Sequence, residues 1–588
     1  MNQRRMIAIG AVAGLVTLAT VAWVVLSPGW VVGMLDRVTG QQLGRSFSAE
    51  SAHLDFSPLS LRLEGPALSG ASERGDSLIR AKSMVIPISL GQIVARQPDL
   101  SAIALREAEF ALLIDERGQA SWDFPEAAAG RALNIALEQA SFRFFDARSG
   151  QALALSNVDG QLQFAADGGV TFRGSAVIAS RVARIDFELR SLPRVNADGS
   201  PLEIAVESEA LSLSFGGRLA TGRVLSLTGP MSLTSREPAE VARWAGFDLP
   251  ESQSLPGPFA VHGGLDSAGR AYAIRTAAVT LGEFRGAGDV VADLRGERPK
   301  LQVTLEADRL WLDPLVPSAG ASEAGWGSAL LPLSHLRVMD AELSILARAA
   351  SYAGFETGAA RLAATLTDGR LDASGAFRLD GAGTAAFTAK IDAVVLPPSG
   401  SLRIEAENAE LGPLLGALTG VEALSGNGNL KLDLNAQGRT QEELVGTLGG
   451  SATLALAGGQ IQGADLKAAA GALRERILDG WGATPGATPL ETLNANLSIA
   501  DGLVTLTSAE AATEAFRLTL SGSVDLLRRA LDLKLAFQPP ETAPLPVPVM
   551  ITGTLAAPRI YPDIPDILNN PEGGFARLRS AFTTPPGN

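Results

Sequence analysis

The ten residues LSIADGLVTL, positions 497–506, decide the fold. Leu497 and Ile499 stand two apart, Asp501-Gly502 follows, and Val504 and Leu506 resume the alternation. A period of two places successive side chains on opposite faces of a strand. Asp-Gly between two such runs is the strongest short-range hairpin signal. The stretch therefore predicts two antiparallel strands with one apolar and one wet face.

The same texture extends outward over most of the chain. Ala108, Phe110, Leu112 and Ile114 alternate, as do Leu202, Ile204 and Val206, then Leu211, Leu213 and Phe215, then Leu301, Val303 and Leu305. Nearer the C-terminus come Leu430, Leu432 and Leu434, then Phe516, Leu518 and Leu520, then Leu531, Leu533, Leu535 and Phe537. Asp, Arg, Lys, Ser, Thr and Gln fill the positions between. Asp-Gly recurs at 159, 167, 198, 368 and 380, and hairpins make neighbours antiparallel, which argues against a parallel β-helix. Helices are few: 238–247 opens on proline, Thr440 with Glu443 forms a capping box, and Leu466, Ala470, Leu473 and Ile477 share one helical face. Residues 249–258, 314–333, 397–400 and 538–549 read as linkers.

Composition removes several function classes. The 588 residues contain no cysteine, which excludes disulfide scaffolds, thiolate metal sites and cysteine nucleophiles. His53, His262 and His335 lie far apart with no ligand spacing, so no metal is expected. Net charge is −14 without a basic stripe, which speaks against nucleic acid as a partner. Glu405 with Glu407, and Asp372 with Asp380, read as solvent-facing strand acids rather than a glycosidase pair. No nucleophile elbow, phosphate loop or dinucleotide fingerprint stands in the right context. The expectation is a protein that is not an enzyme and carries no cofactor.

The N-terminus sets topology. Residues 6–26 form 21 almost continuously apolar positions, enough for a helix to cross a bilayer. Ile7, Ile9, Val12, Leu15, Val16, Leu18, Val21, Trp23, Val24, Val25 and Leu26 are the expected anchor residues. Arg4 and Arg5 precede this run and no basic residue follows before Arg37, which keeps the first residues in the cytoplasm and the body on the far side. The rival reading is a cleaved signal peptide, with Thr20 and Ala22 before the cut.

A sheet with one apolar face must bury it. A filled sandwich array and an open trough both satisfy the alternation, and the residues alone favour the sandwich. Roughly 35 strands side by side at about 4.8 Å would extend on the order of 170 Å.

Several stretches resemble the AsmA family of bacterial inner-membrane-anchored proteins, related to the bridge-like lipid-transfer proteins. These are SFSAESAHLDFSPLSLRLEGPALSG from Ser46, SLGQIVARQPD and DERGQASWDF within 81–124, and LGEFRGAGDVVADLRGERPKLQVTLEADRLWLDPL from Leu281. GNGNLKLDLNAQGRTQEELVGTLGGSATLALAGGQIQGADL from Gly426 and VPVMITGTLAAPRIYPD from Val547 are the strongest likeness. The resemblance implies a mainly β protein: a transmembrane helix, then an elongated, curved antiparallel sheet forming an apolar groove, with a few short capping helices. It reverses the preference for a sandwich.

It further implies a periplasmic body on the inner membrane of a Gram-negative bacterium, conducting phospholipid and supporting outer-membrane biogenesis. The alternative is a non-lipid assembly factor acting on outer-membrane protein insertion or targeting. The expected partners are membrane lipids, the inner membrane and possible outer-membrane or assembly machinery. The expected groove lining is Phe110, Leu112, Ile114, Leu301, Val303, Leu305, Leu430, Leu432, Leu434, Leu518, Leu520, Leu531, Leu533, Leu535 and Phe537. The expected organisation is a cytoplasmic tail (1–5), an anchor and interface (6–35), β modules at 36–237, 238–397 and 398–565, and a tail (566–588).

Overall fold

The computed structural model describes residues 29–70, 77–89, 91–92, 99, 101–122, 132–178, 180–196, 198–237, 241, 257–313, 326–379, 382–419, 424–462, 486–514, 517–538, 549–554 and 557–563. The anchor residues, the helices expected at 238–247 and around 466–477, the Asp380-Gly381 turn and the tail after 563 lie outside these. The protein is mainly β, with 33 strands among the described residues. It divides into two compact units: residues 1–283 with 289–295, and residues 284–288 with 296–588.

The first unit opens with the helix Gly29–Leu43. Its Val31 and Leu35 are buried against Phe47, Leu61, Leu63 and Ile86, and Asp36 Oδ1 accepts the Phe47 N–H at 2.9 Å. No helix among the described residues is long and apolar enough to cross a membrane. Two short strands, Ala102–Arg106 and Glu109–Ile114, lie end to end along Leu133–Asp146 and pair with it in parallel. From Leu133–Asp146 to Ala271–Leu281 each strand then pairs antiparallel with the next.

In the second unit Lys300–Trp311 pairs in parallel with Asp340–Tyr352. A parallel pair needs a crossover of a dozen or more residues, and residues 312–339 supply it. Every later pairing through Ala557–Pro562 is antiparallel. Residues 397–400, expected as a linker, are the end of the hairpin connection 393–398 and the first two residues of the strand Ser399–Glu410, which pairs directly with Thr384–Asp392.

Asp368-Gly369 and Asp501-Gly502 both have positive φ at each residue, the primed turn that matches the twist of a hairpin. Asp159-Gly160 differs from the expectation: it lies inside the strand Gln151–Phe164, not at its end. The register slips there by a bulge, and Gly160 faces Gly174 so closely that a Cβ on Gly174 would sit 2.2 Å from the Asp159 carbonyl oxygen. The Asp side chain serves the bulge, not a turn.

That arrangement recurs. Gln139, Thr276 and Asn408 each adopt left-handed φ near 50° at a register slip. Their N–H groups donate to Asp159 Oδ1 at 2.8 Å, Asp289 Oδ1 at 3.0 Å and Asn429 Oδ1 at 2.9 Å. An Asp or Asn on the neighbouring strand thus satisfies the N–H that the bulge removes from the ladder, offsetting a backbone cost of roughly 1–2 kcal/mol. Each bulge also bends its strand and raises the local twist.

One ion pair in the first unit is buried. Arg148 binds Asp146 through Nε at 3.0 Å and Nη2 at 2.8 Å, while its Nη1 donates to the carbonyls of Thr221 and Gly222 at 3.1 and 2.8 Å. The Asp146 side chain is fully buried. Burial pushes the Asp146 carboxyl up, but its hydrogen bonds from the Arg148 guanidinium and from the Arg148 and Leu225 amides outweigh this and hold it below the ordinary value. A depressed folded pKa contributes stability that is full above the unfolded pKa and is lost as pH falls through the folded one. Asp146→Asn is expected to cost about 3–5 kcal/mol at neutral pH. Urea melts of the two proteins should converge as the solution is acidified below the carboxylate range.

Candidate functional site

The ladder registers convert the alternation into continuous rows. In the second unit one row runs Leu305, Ile345, Leu362, Gly375, Phe387, Ile404, Leu432, Ala452, Leu497, Leu506, Gly522, Leu533, Ile551 and Ile560, each paired with the next. Every member is apolar or glycine. The adjacent row on the other face runs Thr388, Arg403, Asp433, Ser451, Ser498, Thr505, Ser523, Asp532 and Thr552. Because the side-chain period is two, a slip of one residue anywhere would exchange the faces. No such exchange occurs across fourteen strands.

The first unit repeats the pattern through Ile103, Ile135, Leu162, Phe172, Phe187, Ile204, Phe215 and Met231. Within each unit, the extensive strand contacts among described residues run between hydrogen-bonded neighbours.

The structure places most of the expected lining on these faces. Phe110 is buried and stacks on Phe142 with ring centroids 4.2 Å apart. Leu112 pairs with Phe144, and Ile114 is buried opposite Asp146. Leu301, Val303 and Leu305 pair with Ala341, Leu343 and Ile345. Leu430, Leu432 and Leu434 pair with Ala406, Ile404 and Leu402. Leu531, Leu533, Leu535 and Phe537 pair with Val524, Gly522, Leu520 and Leu518. The first three residues belong to one unit and the other twelve to the other.

Sequence reading missed Ile345, Leu362, Phe387, Ile404 and Ile551. The strands that hold Leu362 and Phe387, and Arg370–Arg378 between them, are rich in alanine, with Ala363, Ala364, Ala373, Ala376, Ala385, Ala386 and Ala389 on both faces. Alanine on the wet side weakens the contrast that marks a strand. The remaining signal was Arg, Glu, Lys and Thr confined to every second position.

Burial along this face is graded. Leu430, Leu456, Leu490, Leu518, Leu535 and Val549 are buried, whereas Leu432, Leu434, Leu497, Ile499, Leu506, Leu531 and Leu533 are only half-buried. The short helix Leu411–Thr419 explains part of the first group, since its Leu411 and Leu414 pack with Ala406, Ala409, Leu430 and Leu456. Glycine keeps the face low: the edge of the Phe387 ring lies 2.3 Å from where a Cβ on Gly375 would stand.

The opposite face is lined by exposed ion pairs. Arg403 pairs with Asp433, Lys390 Nζ lies 3.1 Å from Asp372 Oδ1, and Arg370 Nε lies 3.0 Å from Asp392 Oδ2. The Val394 amide first, and Arg370 after it, hold the Asp392 carboxyl below its ordinary range. Glu405 and Glu407 are exposed on this wet side, and Asp380 lies outside the described residues. Among the described residues no group of three acids or histidines is placed to hold a metal.

Fold and site together define a β-sheet protein with one sustained apolar face. The model of the AsmA family matches residues 333–509. The matched residues carry a large part of the long row, from Ile345 to Leu506. No curated protein and no solved structure matches the chain.

The grading has a measurable consequence. Leu430→Ala is expected to cost about 2–4 kcal/mol, because it opens a cavity among packed neighbours. Leu434→Ala, on the same strand and face but half-buried, should cost less than about 1.5 kcal/mol. Equal shifts in the urea midpoint for the two variants would contradict the grading.

Proposed function

We propose that the apolar face binds and conducts phospholipid acyl chains, that residues 6–26 anchor the protein in the inner membrane, and that the body stands in the periplasm, where it supports outer-membrane biogenesis. The observation that carries this reading is the row from Leu305 to Ile560, apolar or glycine at every strand and half-buried from Leu497 to Ile551. The AsmA family match over residues 333–509 is consistent with it. In this reading the face forms a groove: acyl chains lie against the leucines, each buried methylene contributing about 0.8 kcal/mol, and head groups remain in water.

The chemistry needed is modest. A chain that moves by one strand exchanges one leucine-sized contact for another, so no covalent step and no deep local minimum is required. Catalytic groups have no role in this reading.

The test uses photocrosslinking in living cells with the full chain. A benzophenone amino acid at Leu533 or Leu497 is expected to give phospholipid adducts, detected by mass spectrometry, and the same group at Ser498 or Thr505 is not. Adducts with assembly proteins and none with lipid would favour the alternative role in outer-membrane protein insertion. Lipid adducts of equal yield on both faces would remove the argument from the apolar row.

A further inference from the structure

The crossover between Lys300–Trp311 and Asp340–Tyr352 takes a path longer than joining two neighbouring strands requires. After Asp313 its described part resumes at Trp326, whose Nε1–H donates to the Leu526 carbonyl at 2.9 Å, 200 residues away in sequence and at the turn after the strand Arg517–Asp525. Next, Gly327 N–H donates to Gln441 Oε1 at 3.1 Å, and Leu331 N–H to the Arg439 carbonyl at 2.8 Å. Arg337 then donates to the Ala393 carbonyl, its stem lies against Gly369, and Asp340 N–H donates to the Pro299 carbonyl at 2.8 Å. The segment visits, in order, turns at one end of successive strands of the second unit, and then enters the sheet itself.

The lengths make this more than a loop lying on a surface. From the strand that ends at Asp525 back to the strand that begins at Asp340 there are ten strands in ladder order. Their nine spacings of about 4.8 Å amount to about 43 Å along a flat sheet. The connecting chain has fourteen steps, of which the 3₁₀ turn Leu333–Arg337 takes up part at about 2.0 Å per residue. With the rest near 3.4 Å per residue, its reach is about 42 Å. The fully extended reach thus only about equals the flat span, so a sheet that spread beyond it at this edge would have to break one of the segment's contacts.

We propose that residues 326–339 are a tie that fixes the span and curvature of this edge of the sheet, with the Trp326 indole as its latch on the Leu526 turn. The tied edge is the one toward which the apolar face grows more accessible, from Leu430 to Leu434 and from Leu535 to Leu531. A tie there sets how wide the accessible side of the face stands. The bearing on acyl chains rests on the proposed function, but the geometry does not.

The chain contains no cysteine, so spin labels can be placed without removing any native residue. Labels at Thr367→Cys and Leu503→Cys report the tied edge, and labels at Arg378→Cys and Arg517→Cys report the opposite edge; all four positions are exposed. Two changes loosen the tie in the full chain: Trp326→Phe removes the donor and keeps a ring, and Gly-Ser-Gly inserted after Pro332, between the Leu331 contact on the Arg439 turn and the Arg337 contact on the Ala393 turn, lengthens the segment while leaving its contacts on the turns in place. The insertion is expected to lengthen or broaden the tied-edge distance by up to about 10 Å, the added reach, with the opposite edge unchanged. Trp326→Phe is expected to broaden the tied-edge distance as well. Unchanged distributions in both variants, or equal broadening at both edges, would overturn the tie. Failure of lipid crosslinking would leave this test intact.

Discussion

Register is the constraint on which the rest depends. In an antiparallel ladder each residue is committed to a partner, and its face follows from its parity. A row that stays apolar from Leu305 to Ile560 requires every strand of the second unit to enter the sheet in phase. Tight turns such as Asp368-Gly369 and Asp501-Gly502 preserve that phase because their residue count is fixed. Longer excursions, such as the helix Leu411–Thr419 between two paired strands, preserve it only if the ladder on each side selects the register. The side chains make that selection, since a slip would place Leu432 in water and Asp433 among leucines.

Bulges are where phase is most at risk, and the chain handles them with one device. An extra residue at Gln139, Thr276 or Asn408 turns left-handed, and an Asp or Asn on the next strand takes its N–H. The gain is bend without an unsatisfied donor. Paired glycines such as Gly160 and Gly174 allow the backbones to close up at the same place. These features do not interrupt the apolar row, because each bulge returns the alternation to phase within two residues.

The strand class was legible wherever leucine alternates with Asp, Lys or Ser, as in the run from Leu430 to Leu434. There Lys431 and Asp433 occupy the intervening positions, and this contrast is what marks the strand. The capping box was equally legible: Thr440 Oγ1 accepts the Glu443 N–H at 3.1 Å, as its spacing predicts. In a variation on the motif, the Glu443 carboxylate reaches back to the Arg439 amide. The alanine-rich strands between 340 and 392 were less legible, since alanine fits either face. The parallel pairings were not legible at all, because local alternation is the same whichever way the neighbour runs. Nor was the tie: residues 326–333 show no alternation and carry Gly, Ser and Pro, which read as a linker, and what orders them is a set of carbonyls and one side-chain amide far away in sequence.

Within its own plane a sheet has little to resist spreading beyond its ladders, and each hydrogen bond in them contributes only about 0.5–1.5 kcal/mol net. Side chains packed across two layers would add resistance, but a second layer would also cover the face whose accessibility distinguishes Leu434 from Leu430. Stiffness and an open apolar face are therefore in competition. Bulges and glycine pairs set curvature strand by strand, from within the ladder. A chain segment of fixed reach acts across many strands at once, from the edge, and leaves the face uncovered. The tie at 326–339 is positioned to meet both demands, because it lies on the turns and its length closely matches the span it crosses.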